Sequence, residues 1–551
     1  MPLIPYPTDY RRPPVREVRI GKLCIGGNHP PLIQSMLTQA ASNPEAAFAE
    51  AKALFAAGCP LIRLTIPTEK ELAAAVSLRE RLQSEGLLTA QVADIHFQPK
   101  LALAAAQVFE KIRINPGNLV DQPKNKGQAL PQDLAEGCQR LAGALAPLVQ
   151  VLKRHHCALR IGVNHGSLAQ RMIEAHGDSP LGMVESALEA AGICEALGFD
   201  QIVISLKSSN PLVTNLAYRL LASRQPALGY PLHLGVTEAG MGEMARIKSL
   251  AGIAPLLRDG LGDTLRVSLA EDSVYEIPYA QALVQGLEEA RQMGYPRPDW
   301  QREITQLRVN NQEHPIQGLA TGGLHPVRVF SAVSLDGLED QVLTEQTQFT
   351  QIPDLGALPP LPLSCTPAYL LTAVPDLHQV RNLYRQRGPL NAPLGLLLGP
   401  SPMPVRLESD FCALLAEGLL DFVVIPAGLP ALAQTRWLQF LQALRVKSFE
   451  ADYIACPSCG RTLFDLQGTT LKIRAQTRHL KGVKIGIMGC IVNGPGEMAD
   501  AHFGYVGSGP GKIDLYYGQT CVQRGLPEEN AVAALLALIK EKGAWQEPNL
   551  S

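Results

Sequence analysis

At 551 residues with 46% hydrophobic side chains, the chain has room for about three or four domains and a substantial core. A net charge of −2, 5% aromatic residues and scattered Lys and Arg argue against a nucleic-acid surface. Eleven cysteines, an odd number without framework spacing, argue against a secreted disulfide scaffold and for a reducing cytoplasm. The opening residues, Met1 to Pro14, hold no apolar signal segment and no evident transit peptide, and no later run is apolar enough to span a bilayer.

Up to residue 285, short β-rich runs alternate with Ala- and Leu-rich segments of helical period, the pattern of repeated β-α units on a parallel sheet. Eight strands are predicted, ending near Gln34-Ser35, Arg63 to Pro67, Asp94 to His96, Arg113 to Asn115, Arg160 to Asn164, Ser205 to Lys207, Thr237-Glu238 and Arg266 to Ser268. Eight such units predict a closed (β/α)8 TIM barrel over residues 1–285, with its active site at the C-terminal ends of the strands. An open doubly wound sheet is the alternative, but no Gly-x-Gly-x-x-Gly turn follows the first strand.

Residues 286–446 read as an inserted β/α domain with the texture of a degenerate barrel. It contains Asp336-Gly-Leu-Glu-Asp340, a proline-rich stretch from Ile352 to Leu363, and buried strands at Leu394 to Gly399 and Asp421 to Pro426. Its strand ends carry few catalytic side chains, so its expected role is structural. Residues 447–551 form a small α/β domain ending in a helix from Glu528 to Lys542.

That last domain holds Cys456-Pro-Ser-Cys459 and, on a second loop, Gly489-Cys490-Ile-Val-Asn-Gly-Pro-Gly-Glu497. A Cys-x-x-Cys turn presents two thiolates as a tetrahedral metal or an iron–sulfur cluster requires, with Cys490 arriving from the other loop. Cys-Pro-Ser-Cys-Gly also resembles half of a zinc ribbon, yet no second Cys-x-x-Cys follows. Cys521, His502 and Glu497 are the remaining donors downstream, and only Glu497 shares a loop with Cys490. Asn493-Gly-Pro-Gly496 is a rigid yet permissive backbone beside it. Spacing alone leaves zinc and iron–sulfur open.

In the barrel, Arg63, Arg113, Arg160, Lys207 and Arg266 bring five cations to one mouth, against Asp94 and Glu238 as the evident acids. A single one reads equally as a rim ion pair; five together describe an anion pocket fitted to a ligand with two phosphates. Asn115, Asn164, Ser205, Ser268 and Gln34 are further donors, with a capping role as the alternative for the asparagines. Gly117 and Gly166 allow close backbone approach. His96, His165 and His233 lie on different strands without metal-ligand spacing, so hydrogen-bonding or core roles are expected. Glu238 is the expected proton donor, its pKa raised by burial in the mouth.

Gln34-Ser-Met, Ala93-Asp-Ile-His-Phe97, Arg113-Ile-Asn-Pro-Gly-Asn118, Arg160-Ile-Gly-Val-Asn164, Thr237-Glu-Ala-Gly240 and the two cysteine motifs closely resemble the 4-hydroxy-3-methylbut-2-enyl diphosphate synthase family, in its large three-domain form. The resemblance implies reductive ring opening of 2-C-methyl-D-erythritol 2,4-cyclodiphosphate with loss of water, a step of the methylerythritol phosphate route to isoprenoids. It implies one 4Fe-4S cluster per chain, held by Cys456, Cys459, Cys490 and an exchangeable Glu497. The strand-end pocket then assigns substrate binding to Arg63, Asp94, His96, Arg113, Asn115, Arg160, Asn164, Ser205, Lys207, Arg266 and Ser268, with Glu238 and Glu497 expected to be catalytic. Reduced ferredoxin or flavodoxin is the implied donor, and closure of the cluster domain stays open between one chain and a homodimer. The competing readings are a phosphate-binding barrel with a structural zinc site, and a barrel aldolase using Lys207 as a Schiff base.

Overall fold

The computed structural model describes residues 15–87, 89–96, 98–119, 133–224, 229–292, 314–317, 319–321, 326–332, 340–343, 349–352, 368–377, 379–381, 390, 392–491 and 494–547. Phe97, Asn493, Asp336 to Glu339 and the proline-rich stretch beyond Ile352 lie outside the described residues. The chain divides into two compact units. One contains 13–249, 261–281 and 450–551, and the other 1–12, 250–260 and 282–449.

The first unit opens with an antiparallel hairpin, β1 (Val18–Ile20) and β2 (Leu23–Ile25), turned at Gly21 with φ +60°. Its Val18, Ile20 and Ile25 pack on Leu61, Val92, Ala158 and Val203, residues at or near the starts of barrel strands. The hairpin therefore plugs the end of the barrel remote from the strand C-termini.

Eight parallel strands follow: β3 (Leu32–Met36), β4 (Leu61–Thr65), β5 (Ala90–Asp94), β6 (Lys111–Ile114), β7 (Ala158–Asn164), β8 (Ile202–Lys207), β9 (His233–Leu234) and β10 (Thr264–Leu265). They pair in the order β8-β7-β6-β5-β4-β3-β10-β9. Ile204 closes the ring by bridging to Leu232, its N–H donating to the Pro231 carbonyl at 2.9 Å. The expected (β/α)8 barrel is thus present. Nearly every strand residue is buried, as helices outside and packed side chains inside require.

Two strands are shorter than the sequence suggests. β9 stops at Leu234 and β10 at Leu265, so Thr237-Glu238 and Arg266 to Ser268 sit on loops past the ladder. Further along the loop past β9, Glu238 adopts a left-handed backbone, φ +48°.

The C-terminal part of this unit is a five-stranded mixed sheet. Asp452–Ala455, Lys484–Met488 and Phe503–Gly509 run parallel, and Lys512–Tyr517 and Thr520–Pro527 continue antiparallel. Helices Leu466–Thr477 and Glu528–Glu541 cover a core containing Ile473, Ile485, Ile487, Tyr505, Leu535 and Ile539. It is seated on the barrel: Ala239 bridges to Ala455, and Lys248 pairs with Asp452 at 2.6 Å.

In the other unit, strands Arg328–Ser331, Gln341–Val342, Thr350–Ile352, Tyr369–Leu371, Leu394–Leu397 and Phe422–Ile425 form one parallel sheet. The two strands expected near Leu394 and Asp421 are among them. Phe330 and Phe349 pack on Phe422 at its core, the second ring stacked at 5.5 Å. Among the described residues, no helix is long and apolar enough to cross a membrane.

Candidate active site

Parallel pairing sets three functional side chains in a row: Asp94 on β5 lies beside Arg113 on β6, and Arg113 beside Arg160 on β7. Asp94 is fully buried and accepts from Arg63 at 2.7 Å and Arg113 at 3.3 Å. Burial pushes its carboxyl up, but Arg63, His96 and Arg113 outweigh that and hold it well below the usual carboxylate range. Arg113 also donates to the Gly162 carbonyl at 3.0 Å and lies 2.6 Å from His96 Nε2. The same Nε2 lies 3.3 Å from Asp94 Oδ2, so it stands between a donor and an acceptor. Burial pushes His96 down to about 3, which favours the neutral ring.

One cavity gathers the expected mouth residues Arg63, Arg113, Arg160, Asn164, Ser205, Lys207, Glu238, Arg266 and Ser268 with Cys456, Cys459, Cys490 and Glu497. Asp94, His96 and Asn115 stand outside its lining. The first two brace Arg63 and Arg113 from behind. Asn115 turns inward to cap the loop instead, its Oδ1 accepting from Gly117 N at 3.1 Å. Gln34 is also buried behind the wall, without a hydrogen-bond partner for its amide among the described residues. His165 lies against Asp178 and His233 against Thr264 Oγ1 at 2.8 Å, both hydrogen-bonding roles.

The cations are unequally compensated. Arg266 forks onto Glu276 at 2.9 and 3.1 Å, an acid ten residues downstream that strand-end reasoning overlooks. Arg160 is only 1% exposed, and its Nε and Nη1 have no hydrogen-bond partner among the described residues. Burial, then the charges of Arg63 and Arg113, push its guanidinium well below its ordinary range. Burial and four neighbouring arginines, Arg160 first, do the same to the Lys207 ammonium. An anion in this cavity relieves both.

Opposite the cations stand two carboxyls. Glu238 is pushed well above the usual range by burial, and then by the charge and hydrogen bond of Glu497. Both effects favour its protonated form. Its φ of +48° is a strained setting for a non-glycine residue on the cavity wall. Asn164 Nδ2 donates to Glu497 Oε1 at 2.8 Å, so this expected substrate ligand orients the carboxylate from the C-terminal domain. Gly166, expected to admit a ligand, instead admits that domain: with φ +80°, any Cβ there would collide with the Gly496 carbonyl.

The three thiols and Glu497 suit an iron–sulfur cluster better than one zinc ion. They line one cavity, yet no three of their ligand atoms lie mutually within 4.8 Å. Zinc bonds of about 2.3 Å would draw sulfurs closer than that, whereas a cluster spreads its ligands over several irons. Gly489 N donates to Cys456 Sγ at 3.2 Å, a bond a ligating thiolate accepts.

Residues 15–281 match the GcpE TIM-barrel domain and residues 452–541 the GcpE protein C-terminal domain. The 4-hydroxy-3-methylbut-2-en-1-yl diphosphate synthase (flavodoxin) of Akkermansia muciniphila is 40% identical, over 99% of each chain. Its namesakes in Porphyromonas gingivalis and Leptospira interrogans are 39% and 35% identical, each over 98% of this chain and at least 98% of the relative. This chain belongs to the GcpE family. It is an oxidoreductase of isoprenoid biosynthesis in a family of iron–sulfur enzymes. Residues 282–451 fall between the two family matches.

Sequence reasoning missed Met36, Thr237, Ser458 and Arg461 on the cavity wall. Arg461 had a signal, lying two residues past Cys459 in the cysteine motif itself.

Proposed function

We propose that this GcpE-family enzyme opens 2-C-methyl-D-erythritol 2,4-cyclodiphosphate with two electrons and two protons, releasing water and 4-hydroxy-3-methylbut-2-enyl diphosphate. The observation that carries the substrate assignment is Arg160: a buried cation with unpartnered donors, among other cations, calls for an anion of more than one charge. Arg63, Arg113, Arg160, Lys207 and Arg266 would grip the diphosphate, with Ser205 and Ser268 donating to it. Asp94 and His96 hold the arginines in place, and Asn115 shapes the adjoining turn.

Cys456, Cys459, Cys490 and Glu497 are the proposed ligands of a single 4Fe-4S cluster. When bound, it supplies single electrons and, at the position Glu497 can vacate, a Lewis-acid iron. Glu238 carries the proton for the departing hydroxyl, as its raised pKa favours. Asn164 keeps Glu497 aligned. The arginines stabilise charge on the opened diphosphate. The seated C-terminal domain supports closure within one chain rather than across a homodimer, and excludes water from the reacting groups.

We further propose three domains, 1–285, 286–446 and 447–551, with the inserted β/α sheet structural, and a cytoplasmic enzyme supplied by reduced flavodoxin or ferredoxin. The test is anaerobic turnover of the cyclodiphosphate with reduced flavodoxin, read as product by mass spectrometry. Product formation that fails in Arg160→Met upholds the reading. A cluster-loaded enzyme that leaves the cyclodiphosphate intact overturns it.

A further inference from the structure

We infer that Arg461 is a positioning residue that ties the reduction potential of the cluster to closure of the C-terminal domain on the barrel. The inference rests on Cys456, Cys459 and Cys490 being cluster ligands. Arg461 leaves the loop two residues past Cys459, lines the same cavity as Cys456, Cys459 and Cys490, and places its Nη2 3.3 Å from Asp94 Oδ2 in the barrel. One side chain thus joins the cysteine loop to the acid that braces the substrate arginines.

The loop geometry leaves it little choice. Cys459 N donates to Thr462 Oγ1 at 3.1 Å and Thr462 N to the Cys459 carbonyl at 2.9 Å, closing a tight turn around Gly460 and Arg461. A Cβ on Gly460 would stand 2.8 Å from Ala40 Cα, so this turn is pressed against a barrel loop. The Arg461 side chain is 11% exposed, and its Nε is buried without a hydrogen-bond partner among the described residues.

Those contacts exist only with the domain seated. Withdrawn from Asp94, the guanidinium would lie in water, where its charge is screened. Seated, it is dehydrated and fixed beside thiolates. A positive charge beside the cluster sulfurs favours the reduced cluster. Asp94 does not cancel this effect, because Arg63 and Arg113 already neutralise it. Electron uptake therefore becomes easier when the substrate cavity is assembled, and harder when the cluster is open to solvent.

The experiment is redox titration of the cluster-loaded wild type, Arg461→Gln and Arg461→Lys. At one fixed solution potential, the reduced-to-oxidised ratio should fall about tenfold in Arg461→Gln, a midpoint shift of about 59 mV to more negative values. Arg461→Lys, which keeps the charge, should shift less than half as far. A wild-type midpoint in Arg461→Gln, or equal shifts in both variants, overturns the inference. If Arg461→Gln does not hold the cluster, hydrogen exchange of the unloaded proteins decides. Faster exchange at both 456–462 and 94–96 supports the tie, and unchanged exchange refutes it. A wild type without a four-iron signal would instead fail the ligand assignment.

Discussion

Arg160→Met should make the substrate-free protein more stable while disabling it. Arg160 stands 1% exposed with Nε and Nη1 unpartnered, beside Arg63 and Arg113. Two buried donors left unmade cost about 1–3 kcal/mol each, about 2–6 kcal/mol together. Methionine keeps an unbranched stem without donors or charge, and imperfect repacking costs about 1–3 kcal/mol. The centres of these ranges leave a net gain of about 2 kcal/mol, roughly 3 °C in the transition of a unit of this size. The substrate loses two charge-assisted hydrogen bonds of about 1.5–3 kcal/mol each, so its Kd rises by roughly 10²–10⁴. Scanning calorimetry without substrate and titration with the cyclodiphosphate measure the two halves. A lower Tm combined with an affinity within about threefold of wild type would show that Arg160 is an ordinary structural cation.

Three further outcomes are expected. Gly166→Ala sets a Cβ against the Gly496 carbonyl at φ +80°, so turnover should drop by about 10² or more with iron content unchanged; full turnover would mean the seated domain is not the working arrangement. Glu238→Gln removes the proton donor and should lower kcat by about 10²–10⁴ at an unchanged KM, whereas a KM effect alone would reassign it to binding. His96 bears on stability. It is neutral when folded, with a pKa of about 3 set by burial, whereas the unfolded ring takes up a proton below about 6.5. Stability is therefore full above 6.5 and lost as pH falls, by about 1.4 kcal/mol between pH 7.5 and 5.5. Urea unfolding at the two pH values should show this loss in wild type and not in His96→Gln; equal losses would refute it.

The barrel was legible because fully buried parallel strands alternate with helices, and because polar groups interrupt the apolar runs where the mouth must be. Arg63, Arg113, Arg160 and Lys207 could be placed there from their positions at strand ends. Pairing was not legible, since it depends on which helix or loop returns to the mouth: Glu276 reaches Arg266 from the following helix, and Arg461 reaches Asp94 from a distant domain. Nor does the sequence distinguish an asparagine that faces ligand from one that caps a turn. Asn115 caps, and Asn164, with the same side chain on the next strand, aims at Glu497. The left-handed backbone of Glu238 leaves no trace in composition, nor does the early end of β9 at Leu234.

The central claim is that Cys456, Cys459, Cys490 and Glu497 hold an iron–sulfur cluster facing the cation-lined cavity. Iron and acid-labile sulfide analysis with an absorption spectrum, on protein purified without oxygen, tests it directly. The account predicts about four irons and four sulfides per chain, as one 4Fe-4S cluster requires. One zinc and no sulfide, persisting after attempted reconstitution, would contradict it.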